Sequence, residues 1–253
     1  GQEGGSMRFR NRSDAGQKLA DRLEEFAGRS DVLVLALPRG GVPVASEVAR
    51  RLGVPLDVFL VRKIGVPGHP ELAMGAIAEG GVEVLSDHLI RDLGIPPSAV
   101  QQVASRERLE LERRDAVYRG GRARPHIGDR TVILVDDGLA TGSSMQAAIL
   151  ALRRHKPARI VVGVPVGARE TCERIARLAD AVVCVSMPEP LEAVGLWYED
   201  FSQTSDEEVT RLLAPPPAMV GRPGVTSTAT PLDVVRARAI PLTGDPSQYD
   251  ALI

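Results

Sequence analysis

Val132-Ile133-Leu134-Val135-Asp136-Asp137-Gly138-Leu139-Ala140-Thr141-Gly142-Ser143-Ser144 is the stretch on which the reading of this chain turns. Its four leading apolar residues predict a short strand buried on both faces, the habit of strands in a parallel sheet. Ligands of an open parallel sheet bind beyond the carboxyl ends of the strands, so chemistry is sought in the loop that follows. That loop begins with two adjacent carboxylates, Asp136 and Asp137, which can accept hydrogen bonds from a vicinal diol or orient a divalent cation. Glycines and hydroxyl residues then run into a helix start, where free N–H groups and the helix dipole favour an anion such as phosphate. Diol acceptors beside a phosphate cradle describe a ribose 5-phosphate site. Taken apart, the same residues describe an Asp-Gly turn and a serine N-cap, which many strand–helix connections possess without a ligand.

Outward from this segment, apolar runs alternate with helical spacing. Leu19, Leu23 and Phe26 predict a helix over Asp14 to Phe26, and Val32 to Leu37 is apolar on both faces. Pro38-Arg39-Gly40-Gly41 breaks that run, and Val42 to Leu52 reads as a helix closed near Gly53. Asp57 to Val61 predicts a second strand, whereas Arg62 to Pro70 is too rich in Gly and Pro for regular structure and reads as an exposed, mobile loop. Ala76 to Leu85, interrupted by Gly80-Gly81, has the punctuation of a hairpin. Ser98 to Tyr118 carries strong helix formers, and its charge run from Arg106 to Arg114 reads as a solvated face. Thr131 to Val135 predicts a strand and Ser143 to His155 a helix opened by capping-competent serines. Arg159 to Val164, Arg169 to Leu178 and Ala181 to Val185 predict strand, helix and strand, with a last short helix over Asp206 to Leu213. Such alternation predicts an α/β fold, an open parallel sheet flanked by helices.

Composition narrows the classes of function. The 253 residues are 43% hydrophobic and 25% charged, enough for one globular domain with an appendage. Basic and acidic counts of 31 and 33 leave a net charge of −2, which disfavours a dedicated nucleic-acid binder. No apolar run approaches the ~20 residues of a membrane span and no signal pattern opens the chain, so a cytoplasmic protein with no membrane partner is expected. Cys172 and Cys184 sit in apolar surroundings with no CxxC or His cluster and read as core thiols. The basic residues comprise only three lysines, Lys18, Lys63 and Lys156, against 28 arginines, so a lysine inside a loop gains interest. Gly1 to Ser6, ahead of Met7, reads as an expression-vector remnant.

In order and spacing, residues 132–144 resemble the phosphoribosyl pyrophosphate (PRPP) motif of type I phosphoribosyltransferases, and the strand–helix order extends the likeness over about residues 7–213. The resemblance implies that fold with a small variable hood, Mg²⁺ as cofactor, and transfer of the 5-phosphoribosyl group from PRPP to a nitrogenous acceptor with release of pyrophosphate. It implies that Asp136 and Asp137 hold the ribose hydroxyls and contribute to catalysis, with Mg²⁺ held mainly by PRPP and in part by these acids. Gly138, Ala140, Thr141, Gly142, Ser143 and Ser144 would surround the 5-phosphate. Arg39, Gly40 and Gly41, in the turn after Leu37-Pro38, would bind pyrophosphate together with Lys63. Residues 62–75 occupy the place of the family's flexible lid, whose closure keeps water from an oxocarbenium-like centre; Arg62 and Lys63 would neutralise the departing diphosphate. Oxopurine salvage members carry an acid at the position of Ala140, so this departure argues against hypoxanthine or guanine as acceptor. The hood is expected from the segment before Val32 and from Glu192 to Phe201, where Trp197 and Tyr198 offer either stacking surfaces or core anchors. Homodimerisation is what the family implies.

Beyond Leu213, Ala214-Pro215-Pro216-Pro217 and a Gly/Ser/Thr/Pro-rich stretch to Thr230 read as linker. Residues 231–253 resume apolar patterning and weakly resemble the opening of erythromycin-esterase-like domains, so we expect the front part of a longer polypeptide with a fused C-terminal enzyme. Fusion raises an alternative function: a PRPP- or nucleotide-binding regulatory module without turnover. A dinucleotide-dependent oxidoreductase is disfavoured, because Pro38-Arg39-Gly40-Gly41 lacks the GxGxxG spacing.

Overall fold

A computed structural model of the protein describes residues 8–214. The expected vector remnant, most of the linker and the C-terminal extension lie outside the described residues. Helix α1 (Arg12–Arg22) leads through a 3₁₀ turn at Glu24–Phe26 into strand β1 (Val32–Ala36), then α2 (Gly41–Leu52) and β2 (Leu56–Val58). After an antiparallel unit and two helices come β6 (Thr131–Val135), α5 (Ser143–Arg154), β7 (Arg159–Val166), α6 (Arg169–Ala176), β8 (Ala181–Ser186) and α7 (Asp206–Leu213). The parallel sheet has the order β2-β1-β6-β7-β8. Alternate residues of β1 enter opposite cores: Val32, Val34 and Ala36 pack with Leu19, Leu23 and Val48 on one face, while Leu33 and Leu35 pack with Ile149, Leu152 and Ile175 on the other. Burial on both faces is why these strands are continuously apolar; each large side chain so buried contributes about 1.5–3 kcal/mol.

Register decides where the functional loops fall. Val32 pairs with Thr131 and Ala36 with Val135, so β1 and β6 end side by side. The Leu37 amide donates to Val135 O at 2.9 Å, carrying that alignment one residue further. Residues 37–41 and 136–144 therefore leave the sheet as neighbours, although about a hundred residues separate them in the chain.

The expected loop at residues 62–70 is instead a β-ribbon. Strands β3 (Val61–Val66), β4 (His69–Ala78) and β5 (Val82–Leu85) form a second, antiparallel sheet in that order. Its prolines and glycines serve the ribbon rather than break it. Pro67-Gly68, with Gly68 at φ +80°, makes the tight turn, and the register shifts around Gly65, whose missing Cβ would lie 2.8 Å from Pro70 O. Ile64, Val66, Met74 and Ile77 are buried in the main core and hold the ribbon down. The hairpin expected across Gly80-Gly81 is present as β4–β5.

Helices α3 (Asp87–Asp92) and α4 (Pro97–Arg119) follow; α3 carries no buried residue and had no apolar period to announce it. Helix α4 ends on Arg119, whose buried guanidinium bonds Glu79 in a fork at 2.9 and 3.0 Å, Asp57 at 3.2 Å and Val58 O at 2.8 Å. Asp115 completes the ring of acceptors. This cluster ties α4, β2 and the foot of the second sheet together. The serines at the start of α5 do not cap it as expected. Gly142 takes the N-cap position at φ +74°, with no side-chain capping bond.

Candidate functional site

Two loops and the segments around residues 9–12 and 197–202 converge above β1 and β6. Asp136 Oδ1 accepts the Asp137 amide at 2.8 Å, a local bond that follows from the adjacency of the two acids. Asp137 Oδ2 receives Arg12 Nε and Nη2, both at 2.9 Å, and its backbone carbonyl receives the Tyr198 hydroxyl at 2.6 Å. Gly40 packs on the same carboxylate oxygen, for a Cβ there would lie 2.1 Å from Asp137 Oδ2. Gly41 is constrained similarly, with Val135 O 2.7 Å from its absent Cβ. These glycines let the turn after β1 lie directly on the acids.

Burial pushes the Asp136 carboxyl well above the ordinary carboxylate range, and the neighbouring Asp137 charge adds to the rise. Asp137 is also raised by burial, opposed by the Arg12 guanidinium. Of the pair, Asp137 is therefore the one held toward its charged form. Two of the four carboxylate oxygens already hold protein donors. Mg²⁺ favours one or two carboxylates plus substrate phosphates, and this donor set fits that mode rather than a closed protein cage.

The loop after the acids is oriented through its carbonyls. Thr171 Oγ1, on α6, donates to Ala140 O at 2.7 Å, and Arg174 Nη2, one turn later, donates to Thr141 O. Leu139 is bridged to the strand end through its amide to Val166 O at 2.8 Å and its carbonyl to the Ala168 amide at 2.9 Å. The amides of Ala140, Thr141 and Gly142 have no acceptor among the described residues, and Ala140, Thr141, Ser143 and Ser144 are exposed. With its carbonyls drawn to one side, the loop offers N–H groups to the other, beside the start of α5. Gly138 faces elsewhere: a Cβ there would lie 2.5 Å from Val194 Cγ1.

Across from this loop, the turn after β1 is closed by the Gly41 amide on Leu37 O at 3.0 Å and the Val42 amide on Arg39 O at 3.1 Å. The Pro38–Arg39 peptide is cis. No acceptor among the described residues meets the Arg39 and Gly40 amides, while the Arg39 side chain reaches toward Asp206 at 3.9 Å. A cavity of about 620 Å³ opens between Leu37-Pro38, the ribbon, α4 and Ser144. It adjoins the acids without including them, and Arg62, Lys63, Arg106, Arg114 and Glu107 give its wall a positive balance. The two ribbon cations do not act alike, although both reach that cavity. Arg62 is paired with Glu107 of α4 at 2.7 and 2.8 Å, whereas Lys63 is exposed and also faces Ser143 and Gln146.

Both expected hood segments meet on one side. Phe9 and Tyr198 form a β-bridge, with the Phe9 amide on Trp197 O and the Glu199 amide on Phe9 O, each at 2.8 Å. Tyr198 is a core anchor with a polar task, its ring packed on Phe9 and Phe201 at 5.4 and 5.0 Å between centroids. Trp197 is half-buried against the same cluster. Residues 139–144 and 37–41 are thus brought to the acids, Lys63 shares a pocket wall with Ser143, and Arg62 is drawn aside. Arg12 escaped sequence reasoning because nothing local links it to Asp137, 125 residues away. Thr171 and Arg174 left a faint signal, two polar residues at i and i+3 after the next strand.

This fold and its paired acids, phosphate loop and glycine turn define a class. The chain belongs to the phosphoribosyl transferase domain family, which it matches over residues 10–199. Among particular relatives, two Mycobacterium tuberculosis proteins named "Putative phosphoribosyl transferase", MT0597 of strain CDC 1551 / Oshkosh and Rv0571c of strain H37Rv, are each 47% identical over 205 residues. The match takes in 81% of this chain and 46% of each relative, so the chain spans about half the length of these proteins. The crystal structure of TT1426 from Thermus thermophilus is 47% identical, with a TM-score of 0.75 over 82% of this chain and 98% of that one. Among the described residues, no helix is long and apolar enough to cross a membrane.

Proposed function

We propose that the protein is a cytoplasmic phosphoribosyltransferase that moves the 5-phosphoribosyl group from Mg-PRPP to a nitrogenous acceptor and releases pyrophosphate. The observation that carries this reading is the contact of three recognition elements: a diol-accepting acid pair, an amide-lined loop on one side, and an amide-bearing turn against the acid on the other. Their order suits 5-phosphate, ribose and diphosphate in sequence along one molecule. Asp136 and Asp137 accept the ribose hydroxyls, residues 139–144 hold the 5-phosphate, and the Arg39 and Gly40 amides take the diphosphate, with Lys63 above it. Positioning of this kind is worth several powers of ten in rate. The acceptor nitrogen forms its bond to C1 as the C1–oxygen bond breaks and the electron pair leaves with the diphosphate. Asp136 and Asp137 would hold Mg²⁺ in part, and the ion would supply positive charge to offset that on the diphosphate leaving group. Ala140 supplies no base beside the acceptor, so an acceptor that needs little proton removal is favoured over hypoxanthine or guanine.

The domain assignment is residues 7–213, with a linker to 230 and, from 231, the partial start of a further domain or an extension; a homodimer is part of this reading. A second reading, a PRPP- or nucleotide-binding regulatory module, draws on the engagement of Arg62 by Glu107 and on the greater length of the relatives. Calorimetric titration of PRPP with and without Mg²⁺, compared with ribose 5-phosphate, tests the donor site. Saturable binding strengthened by Mg²⁺ and by the diphosphate is expected; no binding by folded protein overturns the reading. Pyrophosphate release with any nitrogenous acceptor separates turnover from regulation.

A further inference from the structure

We propose that Arg12 is the positioning residue of the donor site, fixing the Asp137 carboxylate so that Oδ1 alone receives a ribose hydroxyl. The proposal rests on the assignment of this site to PRPP. Every other polar atom of Asp137 is occupied: its amide by Asp136, its carbonyl by Tyr198, and Oδ2 by two nitrogens of Arg12. No amide or guanidinium of the described residues donates to Oδ1, and the Asp136 carboxyl is the neighbour within hydrogen-bonding reach of the Asp137 side chain. The carboxylate has little room to turn, because Gly40 lies against the oxygen that Arg12 holds: a Cβ there would be 2.1 Å from Asp137 Oδ2 and 3.4 Å from Arg12 Nε.

Arg12 is itself immobilised. It is the first residue of α1, behind the N-cap Asn11, whose side chain accepts the Asp14 amide. Its Nη1 donates to Ser202 O at 2.6 Å, its guanidinium carbon lies 4.0 Å from the Phe201 ring centroid, and its side chain is only 11% exposed. A buried arginine whose partners are one carboxylate oxygen, one carbonyl and one ring face is a fixed fork. The same fork joins the N-terminal and C-terminal hood segments to the donor site.

The charged and titratable groups facing Asp137 are Asp136 on its own loop, Arg12 from α1 and Tyr198 from the C-terminal segment. The test is calorimetry with Mg-PRPP. Arg12→Met should weaken binding about 10–100-fold, and Arg12→Lys, which keeps the charge, should restore most of it. Unchanged affinity in folded Arg12→Met overturns the proposal; should that variant not fold, Arg12→Gln is read the same way. Arg12→Met added to Asp137→Asn should cost nothing further, and full additivity overturns the proposal. If wild-type protein binds no PRPP, the assignment of the site fails; if wild-type and Arg12→Met bind it equally well, the role of Arg12 alone fails.

Discussion

Replacing Arg119 with methionine removes the one cation from a buried cluster and leaves its acids behind. Glu79 is 2% and Asp57 7% exposed, and after the substitution their remaining donors are the Leu60 amide at 3.1 Å and the Val58 amide at 2.7 Å. Removing one partner of a buried pair costs about 3–5 kcal/mol, because an uncompensated charge stays behind. Set against the roughly 5–15 kcal/mol that holds a typical domain together, that loss is large and survivable. The sign of its pH dependence follows from Glu79, whose carboxyl burial raises even with Arg119 present, so that removing the cation raises it further. A carboxyl raised in the fold contributes stability below its unfolded value of about 4.3, lost as pH rises through the folded value. Arg119→Met should therefore cost least near pH 5 and most near pH 8. Urea unfolding followed by far-UV circular dichroism at pH 5, 6.5 and 8 measures this. A loss below about 1 kcal/mol at pH 8, or one that grows toward pH 5, would refute the reasoning. The cluster also anchors the foot of the ribbon that carries Lys63, so PRPP affinity should fall in the folded variant as well.

Gly40→Ala places a methyl group 2.1 Å from Asp137 Oδ2, so the carboxylate must move; calorimetry should show PRPP affinity down about tenfold or more with little change in melting temperature. Thr171→Val and Arg174→Ala free the carbonyls of Ala140 and Thr141, and should weaken ribose 5-phosphate binding several-fold while circular dichroism stays unchanged. Asp136→Asn combined with Asp137→Asn should abolish measurable PRPP binding in a protein that still melts cooperatively; undiminished affinity would remove both acids from the site. A chain ending at residue 214 should melt at the same temperature as the full sequence, and a marked drop would make the C-terminal residues part of this domain.

The strands and helices of the parallel sheet are legible because burial on both faces leaves continuous apolar runs, as in Val32–Ala36 and Thr131–Val135. The acids and the phosphate loop are legible for a different reason, since they are contiguous and local spacing alone puts them at a strand end. Residues 62–70 read as a loop in isolation and are a ribbon in the fold. The roles of Gly65, Pro67 and Gly68 depend on pairing with β4, and a breaker in isolation is a bulge or a turn once a partner strand lies beside it. The serine cap gives way for a similar reason, because Gly142 must pack against Thr171 of α6, and a Cβ there would lie 2.7 Å from Thr171 Cγ2.

By itself, then, the sequence determined the sheet class and the position of the paired acids at the end of a buried strand. Only the tertiary structure decided how each acid is held. Arg12, Gly40, Asp137 and Tyr198 come from four separate parts of the chain and meet because β1 and β6 end in register while the segments around Phe9 and Tyr198 pair beside them. Local periodicity reports which face of an element is buried, but the partner that neutralises a buried charge is chosen by packing between distant segments, and no spacing within one segment encodes it.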